Sequence, residues 1–231
     1  MTSTRWLPLE SNPDVMNKFL HDGGVPSEWG IVDVIDLDAL QSVPQPVVAV
    51  LLLFPGGDQY ESYCKEEAER IQSDGQTVSD GIYFMNQVIK NACGTIALIH
   101  SIANNAGKIQ MDEESVLKRF IDQTKDLAPE ERGQELEKYD DIVALHEASA
   151  QEGQTEAPDA EEDANLHFVT FVCVDGNLYE LDGRKSVPIN HGSSSDETLL
   201  EDASKVCKSF MERDPENVNF TVLALTSIEE A

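Results

Sequence analysis

Val47–Phe54 is apolar at every position, rich in Val and Leu, and stopped by Pro55-Gly56-Gly57. A run this short, branched and unbroken fits a central strand buried on both faces. It is too short to cross a bilayer, and so is the whole Pro46–Pro55 stretch. Whatever else the chain builds must cover that strand on two sides. Its 231 residues suffice to do so without disulfide or metal support.

The flanking patterns supply helices. Asn12-Pro13-Asp14 pairs a capping residue with Pro at the first helical position, Val15, Met16, Phe19 and Leu20 follow at helical spacing, and Gly23-Gly24 ends the run. Gly30–Val34 reads as a short strand and Asp58–Gln72 as a charged amphipathic helix, followed by a polar loop at Ser73–Asp80. Ala92–Asn104, Ser115–Lys125 and Pro129–Leu145 read as three further helices. Glu147–Asp163 breaks all periodicity. It holds seven acidic side chains, no Lys or Arg, and Gly153 and Pro158, which is the pattern of a solvated loop. Leu166–Val174 and Asn177–Leu181 around Asp175-Gly176 give the strongest hairpin signal. Ser194-x-x-Glu197 has the capping-box spacing before a helix at Asp196–Met211, and Val218–Leu225 reads as a last strand. Helices mixed with mostly antiparallel strands predict one α+β domain over residues 1–231.

Charge narrows the partners. The formal charge is −28, which opposes nucleic acid and anionic membranes and favours a partner with a basic face. Met1–Arg5 leads into a polar segment without the apolar core of a signal peptide. Cys64, Cys93, Cys173 and Cys207 lie far apart with no C-x-x-C pair, so reduced thiols in the cytoplasm are expected, with nuclear access left open. No metal-binding motif is present, and no metal or cofactor is expected.

One cysteine stands out. Cys207 falls on the apolar stripe Leu200, Ala203, Val206, Phe210, Cys173 alternates within a strand, and Cys64 lies on a charged helix. Cys93 opens an apolar helix within Asn91-Ala92-Cys93-Gly94-Thr95, where the helix macrodipole lowers a thiol's pKa. Cysteine hydrolysis also needs an imidazole near the thiol and a third group to orient it. His21 and His146 end helices, His100 lies on an apolar helix, and His191 sits in an apparent turn. His167 starts the first hairpin strand. A two-residue turn sets Val174 against Asn177, which carries the register back until Asp182 faces Val169 and shares a face with His167. A three-residue turn would put Asp182 on the other face. Gln87 lies six residues before Cys93, where a side-chain amide can donate to an oxyanion, though an ordinary helix-face Gln reads the same way.

These residues, with Arg5–Glu10, Pro46–Pro55, Asn91–His100, Glu152–Pro158, Leu166-His167-Phe168 and Leu178–Lys185, make the chain resemble the ubiquitin C-terminal hydrolase family of cysteine peptidases. The resemblance implies a papain-like α/β/α core with a mostly antiparallel central sheet flanked by helices and a knotted backbone. It implies Cys93 as nucleophile, His167 as general base and acid, Asp182 as the residue orienting it, and Gln87 in the oxyanion hole. It makes the acidic segment at about 147–165 a crossover loop over the site, limiting substrates to small adducts or peptides on the C-terminal glycine of ubiquitin or of NEDD8. Ubiquitin contacts are expected at Glu10, Asp33, Glu147, Glu152 and Glu156, on a monomer. Val34–Leu40 is about a residue shorter than the family pattern and lacks its Tyr-Gly, and the chain ends soon after Leu225 without the extension of longer relatives. The rival expectation is a ubiquitin-binding module without turnover.

Overall fold

The computed structural model describes residues 5–153 and 165–228. In chain order the elements are α1 (Pro13–Asp22), β1 (Trp29–Asp33), a 3-10 turn at Leu40–Ser42, β2 (Val47–Pro55), α2 (Asp58–Asp74), α3 (Cys93–Ala103), α4 (Val116–Thr124), α5 (Pro129–Lys138), α6 (Asp140–Ala150), β3 (Leu166–Val174), β4 (Asn177–Leu181), β5 (Ile189–Ser193), α7 (Leu199–Arg213) and β6 (Thr221–Ser227). The strands form one six-stranded sheet in the order β1-β6-β2-β3-β4-β5, and all its pairings are antiparallel.

β2 lies between β6 and β3, and only its last residue, Pro55, is not fully buried. Because side chains alternate across a strand, Ala49, Leu51 and Leu53 enter one apolar cluster and Val50, Leu52 and Phe54 the other. The first cluster takes in α1, α3, α4 and α6. The second takes in α7 and, through Tyr60, α2. The unbroken apolar run thus follows from helices on both faces.

The β3–β4 hairpin has the register read from the sequence, with Val174 opposite Asn177 and Thr170 opposite Leu181. Asp175 and Gly176 both take positive φ, 49° and 74°, as a two-residue turn of this hand requires.

Other segments differ from expectation. Pro129–Leu145 is two helices, broken at Tyr139, whose ψ of 88° leaves the helical region and whose ring meets the Phe120 ring edge-on. Lys138 ending one helix and Asp140-Asp141 opening the next suit the two dipoles. α6 then runs on through Glu147 to Ala150, because Ile142, Leu145, His146 and Ser149 share a buried face, so the acidic loop starts later than expected. Its residues 154–164 lie outside the described residues. The Ser194/Glu197 capping box does not form. Ser195 and Thr198 instead make the reciprocal pair one residue on, and α7 starts at Leu199. β6 begins three residues late: Val218 is 88% exposed, whereas Thr226 is buried and donates to Pro44 and Pro46 carbonyls. His191 lies in β5, not in a turn.

Candidate active site

Cys93 is the first residue of α3, an entirely buried helix as far as Ile102. Asn91 reaches the helix through a positive φ of 65°, with its side-chain amide donating to Trp6 O at 3.2 Å. Ala92 at the cap offers no side-chain acceptor, so the first amides of α3 are not taken by a cap. Gly94 fits where it must, since a Cβ there would stand 3.1 Å from that of Leu9.

His167 and Asp182 meet as the hairpin register requires. Both side chains are fully buried, and His167 Nε2 lies 2.6 Å from Asp182 Oδ1. The same Oδ1 accepts from the Arg184 amide at 2.8 Å, and Oδ2 accepts from the Tyr60 hydroxyl. With the carboxylate as acceptor, Nε2 carries the proton, which leaves Nδ1 as the basic nitrogen. That Nδ1 is buried and has no hydrogen-bond partner among the described residues.

Backbone contacts tie the remaining pieces to this pair. Gln87 N donates to Gly183 O at 2.7 Å, so the residue after Asp182 holds the glutamine in place. A Cβ on Gly183 would lie 3.1 Å from Gln87 Cβ and 3.2 Å from its backbone nitrogen, tighter than ordinary contact, so glycine eases that approach. The Gln87 side chain donates Nε2 to Ile89 O at 3.0 Å, keeping one further N–H. Gly56 allows Arg184 and His167 to close over the end of β2, for a Cβ there would meet Arg184 Nη1 at 2.9 Å and His167 Cβ at 3.0 Å.

The thiol's electrostatics differ from the expectation. Burial pushes the Cys93 thiol up, and this outweighs the backbone amides of Phe168, Gly94 and Cys93 and the Arg184 guanidinium, which favour the thiolate. The helix terminus acts in the expected direction and loses to desolvation. The Phe168 amide also places the sulfur beside the residue that follows His167. Burial drives His167 well below the ordinary imidazole value, so it is neutral at pH 7. Burial likewise raises Asp182, to about 6, against the pull of the Arg184 amide and of Lys185. At pH 7 the resting site therefore holds a neutral thiol, a neutral imidazole and a mostly ionised carboxylate.

Glu10 is half-buried, and a Cβ on Gly153 would stand 2.7 Å from Glu10 Oε2, so the start of the acidic segment lies against it. Asp33 ends the edge strand β1 and is exposed, as are Glu147 on α6 and Glu152 after it. Glu156 lies outside the described residues. Cys207 is core, Cys64 and Cys173 are half-buried, and burial lifts the Cys64 thiol to about 11. The sequence reading missed Tyr60 and the buried cluster in which Lys185 Nζ meets Glu67 at 2.5 Å and Glu180 at 2.6 Å, with His191 on Glu180 at 2.9 Å. Tyr60 looks like any aromatic on an amphipathic helix, so no signal marks it.

A buried thiol at a helix start, an imidazole–carboxylate pair on a neighbouring strand and an amide beside them define a cysteine-type hydrolase on a papain-like fold. Residues 6–212 match the model of ubiquitin carboxyl-terminal hydrolase, family 1. A ubiquitin carboxyl-terminal hydrolase of Drosophila melanogaster is 50% identical over 97% of this chain and 99% of its own. Isozyme L1 of Macaca fascicularis is 49% identical over 94% and 96%. Among solved structures, the Trichinella spiralis UCH37 catalytic domain bound to ubiquitin vinyl methyl ester superposes with a TM-score of 0.75 at 28% identity, covering 97% of this chain and 96% of that one. The chain belongs to the ubiquitin carboxyl-terminal hydrolase family, and its activity is that of a cysteine-type deubiquitinating hydrolase.

Proposed function

We propose that the chain releases small adducts and peptides from the C-terminal glycine of ubiquitin, and of NEDD8, through Cys93, His167, Asp182 and Gln87. The observation that carries this is the His167–Asp182 pair, whose free Nδ1 is held deprotonated and without a competing partner among the described residues. His167 Nδ1 takes the thiol proton as Cys93 Sγ attacks the terminal carbonyl. The spare Gln87 N–H and the Cys93 amide receive the oxyanion. The imidazolium then protonates the leaving amine, giving a thioester. Water attacks that thioester with His167 as base, which frees the ubiquitin carboxylate and returns the thiol. Among the described residues Nδ1 has no resting partner, and on this reading the thiol comes into hydrogen-bond reach of it as substrate binds.

A net charge of −28 supports a basic partner surface, with Glu10, Asp33, Glu147, Glu152 and Glu156 as its contacts. We read residues 1–231 as one catalytic domain acting as a monomer in the cytoplasm.

The test is ubiquitin carrying a C-terminal vinyl ester, followed by peptide mapping. The adduct should sit on Cys93 and vanish in Cys93→Ala. Labelling at Cys64 instead would sink the assignment.

A further inference from the structure

We propose that Tyr60 is a positioning residue for hydrolysis, its phenol on α2 fixing the second oxygen of Asp182 so that the first stays on His167. This rests on the reading of Asp182 as the residue that orients the imidazole, and extends that reading to helix α2.

The geometry is economical. Asp182 has no solvent exposure and, among the described residues, three donors: His167 Nε2 and the Arg184 amide on Oδ1, and the Tyr60 hydroxyl on Oδ2. The imidazole can follow a rotating carboxylate, because it is the group being oriented, and the Arg184 amide, fixed in the turn, holds only the oxygen that His167 shares. Tyr60 belongs to a different element and holds the other oxygen, so together with the Arg184 amide it fixes the carboxylate plane relative to the body of the protein. Its ring is itself held, 7% exposed, edge-on to Phe54 at 4.7 Å between centroids and 6.3 Å from Phe210. Two helical turns further along α2, Glu67 takes Lys185, the residue that closes the Asp182 turn through its amide on Asp182 O. One helix thus grips the turn at both ends.

The charged and titratable groups around Asp182 are His167 from β3, Tyr60 from α2, and Arg184 and Lys185 from its own turn, the last neutralised by Glu67 and Glu180. Deleting the phenol removes a donor to the ionised form, so the carboxyl becomes easier to protonate. A protonated Asp182 no longer draws the proton of His167 to Nε2.

The experiment compares wild type, Tyr60→Phe, Asp182→Asn and the double variant on a ubiquitin–fluorophore amide across pH. Tyr60→Phe keeps the ring and its packing. Its kcat should fall by about tenfold, the order of one hydrogen bond to a charged group, with KM little changed. The acid limb of its pH profile should move to higher pH. In the Asp182→Asn background the same change should cost almost nothing further, since the two residues act as one unit. If Asp182→Asn lowers kcat but Tyr60→Phe leaves both kcat and the acid limb unmoved, the Tyr60 role is overturned while the site stands. Full activity in Asp182→Asn overturns both. Should Tyr60→Phe fail to fold by circular dichroism, 3-fluorotyrosine at position 60 decides. A stronger phenolic donor should shift the acid limb down, and an unmoved limb refutes the proposal.

Discussion

His167 and His146 are equally buried, at 0% and 1% exposure, yet their imidazoles are bonded in opposite ways. His146 has both nitrogens occupied, Nδ1 on Thr95 Oγ1 at 2.8 Å and Nε2 on Leu7 O at 2.8 Å, with its ring 4.4 Å from that of Trp6. It joins α6 and α3 to the N-terminal segment. His167 has one nitrogen on a carboxylate and the other on nothing among the described residues. His100 is bonded in a third way: its Nε2 accepts from the Met85 amide, so its Nδ1 carries the proton, beside the Leu181 backbone, and no carboxylate among the described residues orients it. A buried polar atom left without a partner is expensive. What sets His167 apart is that this expense falls on the nitrogen that the carboxylate makes basic.

The strongest way to break this comparison is to remove each imidazole in turn. His167→Ala should lower kcat by at least about 10⁴-fold, since base, acid and thiol activation go together. His146→Phe should leave kcat within about twofold. Comparable losses in kcat from the two would mean that the bonding pattern does not mark the reactive histidine. Gln87→Ala comes next, with an expected fall of about 10²–10³ in kcat and little change in KM. A change confined to KM would make Gln87 a binding residue.

Asp182 sharpens the contrast, because there activity and stability should move apart. Its folded pKa is raised, from 3.8 to about 6. A raised carboxyl favours folding while protonated, and that contribution is lost as pH rises through about 6. At neutral pH the charged Asp182 is therefore a burden on the fold. Asp182→Asn should lower kcat, and its stability relative to wild type should improve as pH rises from 5 to 8, because the amide never takes on the buried charge that the carboxyl acquires in that window. A stability difference that does not change with pH would show that the carboxyl does not titrate in that window in the folded protein.

How much of this could be read beforehand depends on the range of the interactions involved. The β2 strand was legible because eight successive apolar residues admit one environment. The His167–Asp182 pair was legible because a two-residue turn fixes register, and register fixes faces. The Cys93 motif carried its own local signal, but the direction of its pKa did not follow. The dipole is a property of one helix, whereas the burial that overrides it comes from the whole fold. Tyr60 and Asp182 are 122 residues apart in sequence, and the Lys185 cluster joins α2, β4 and β5. No spacing rule reaches that far. The split at Tyr139 and the late start of α7 are end effects, where one residue's contacts decide between equivalent caps.

The smallest expected effect on turnover belongs to His146, and its signature lies in stability against pH. Its pKa is lowered by burial, from 6.5 to about 4. The unfolded chain thus takes up a proton near 6.5 while the folded protein refuses it until about 4. Stability from this group is complete above 6.5, declines as pH falls through that window, and declines no further below about 4. One such group contributes a slope of about 1.4 kcal/mol per pH unit, or roughly 2 kcal/mol between pH 7 and pH 5. His100, lowered to about 3 by the same cause, adds a slope of the same sign. His146→Phe keeps the ring against Trp6 but strands the Thr95 hydroxyl and the Leu7 carbonyl, costing about 1–3 kcal/mol at pH 7. It also removes one proton from the pH dependence, so its denaturation free energy should fall less steeply between pH 6.5 and pH 4 than that of wild type. Urea titrations at a series of pH values measure both quantities. An unchanged slope would mean that His146 is charged in the folded protein, and the division between a fully bonded structural imidazole and a reactive one would lose its physical basis.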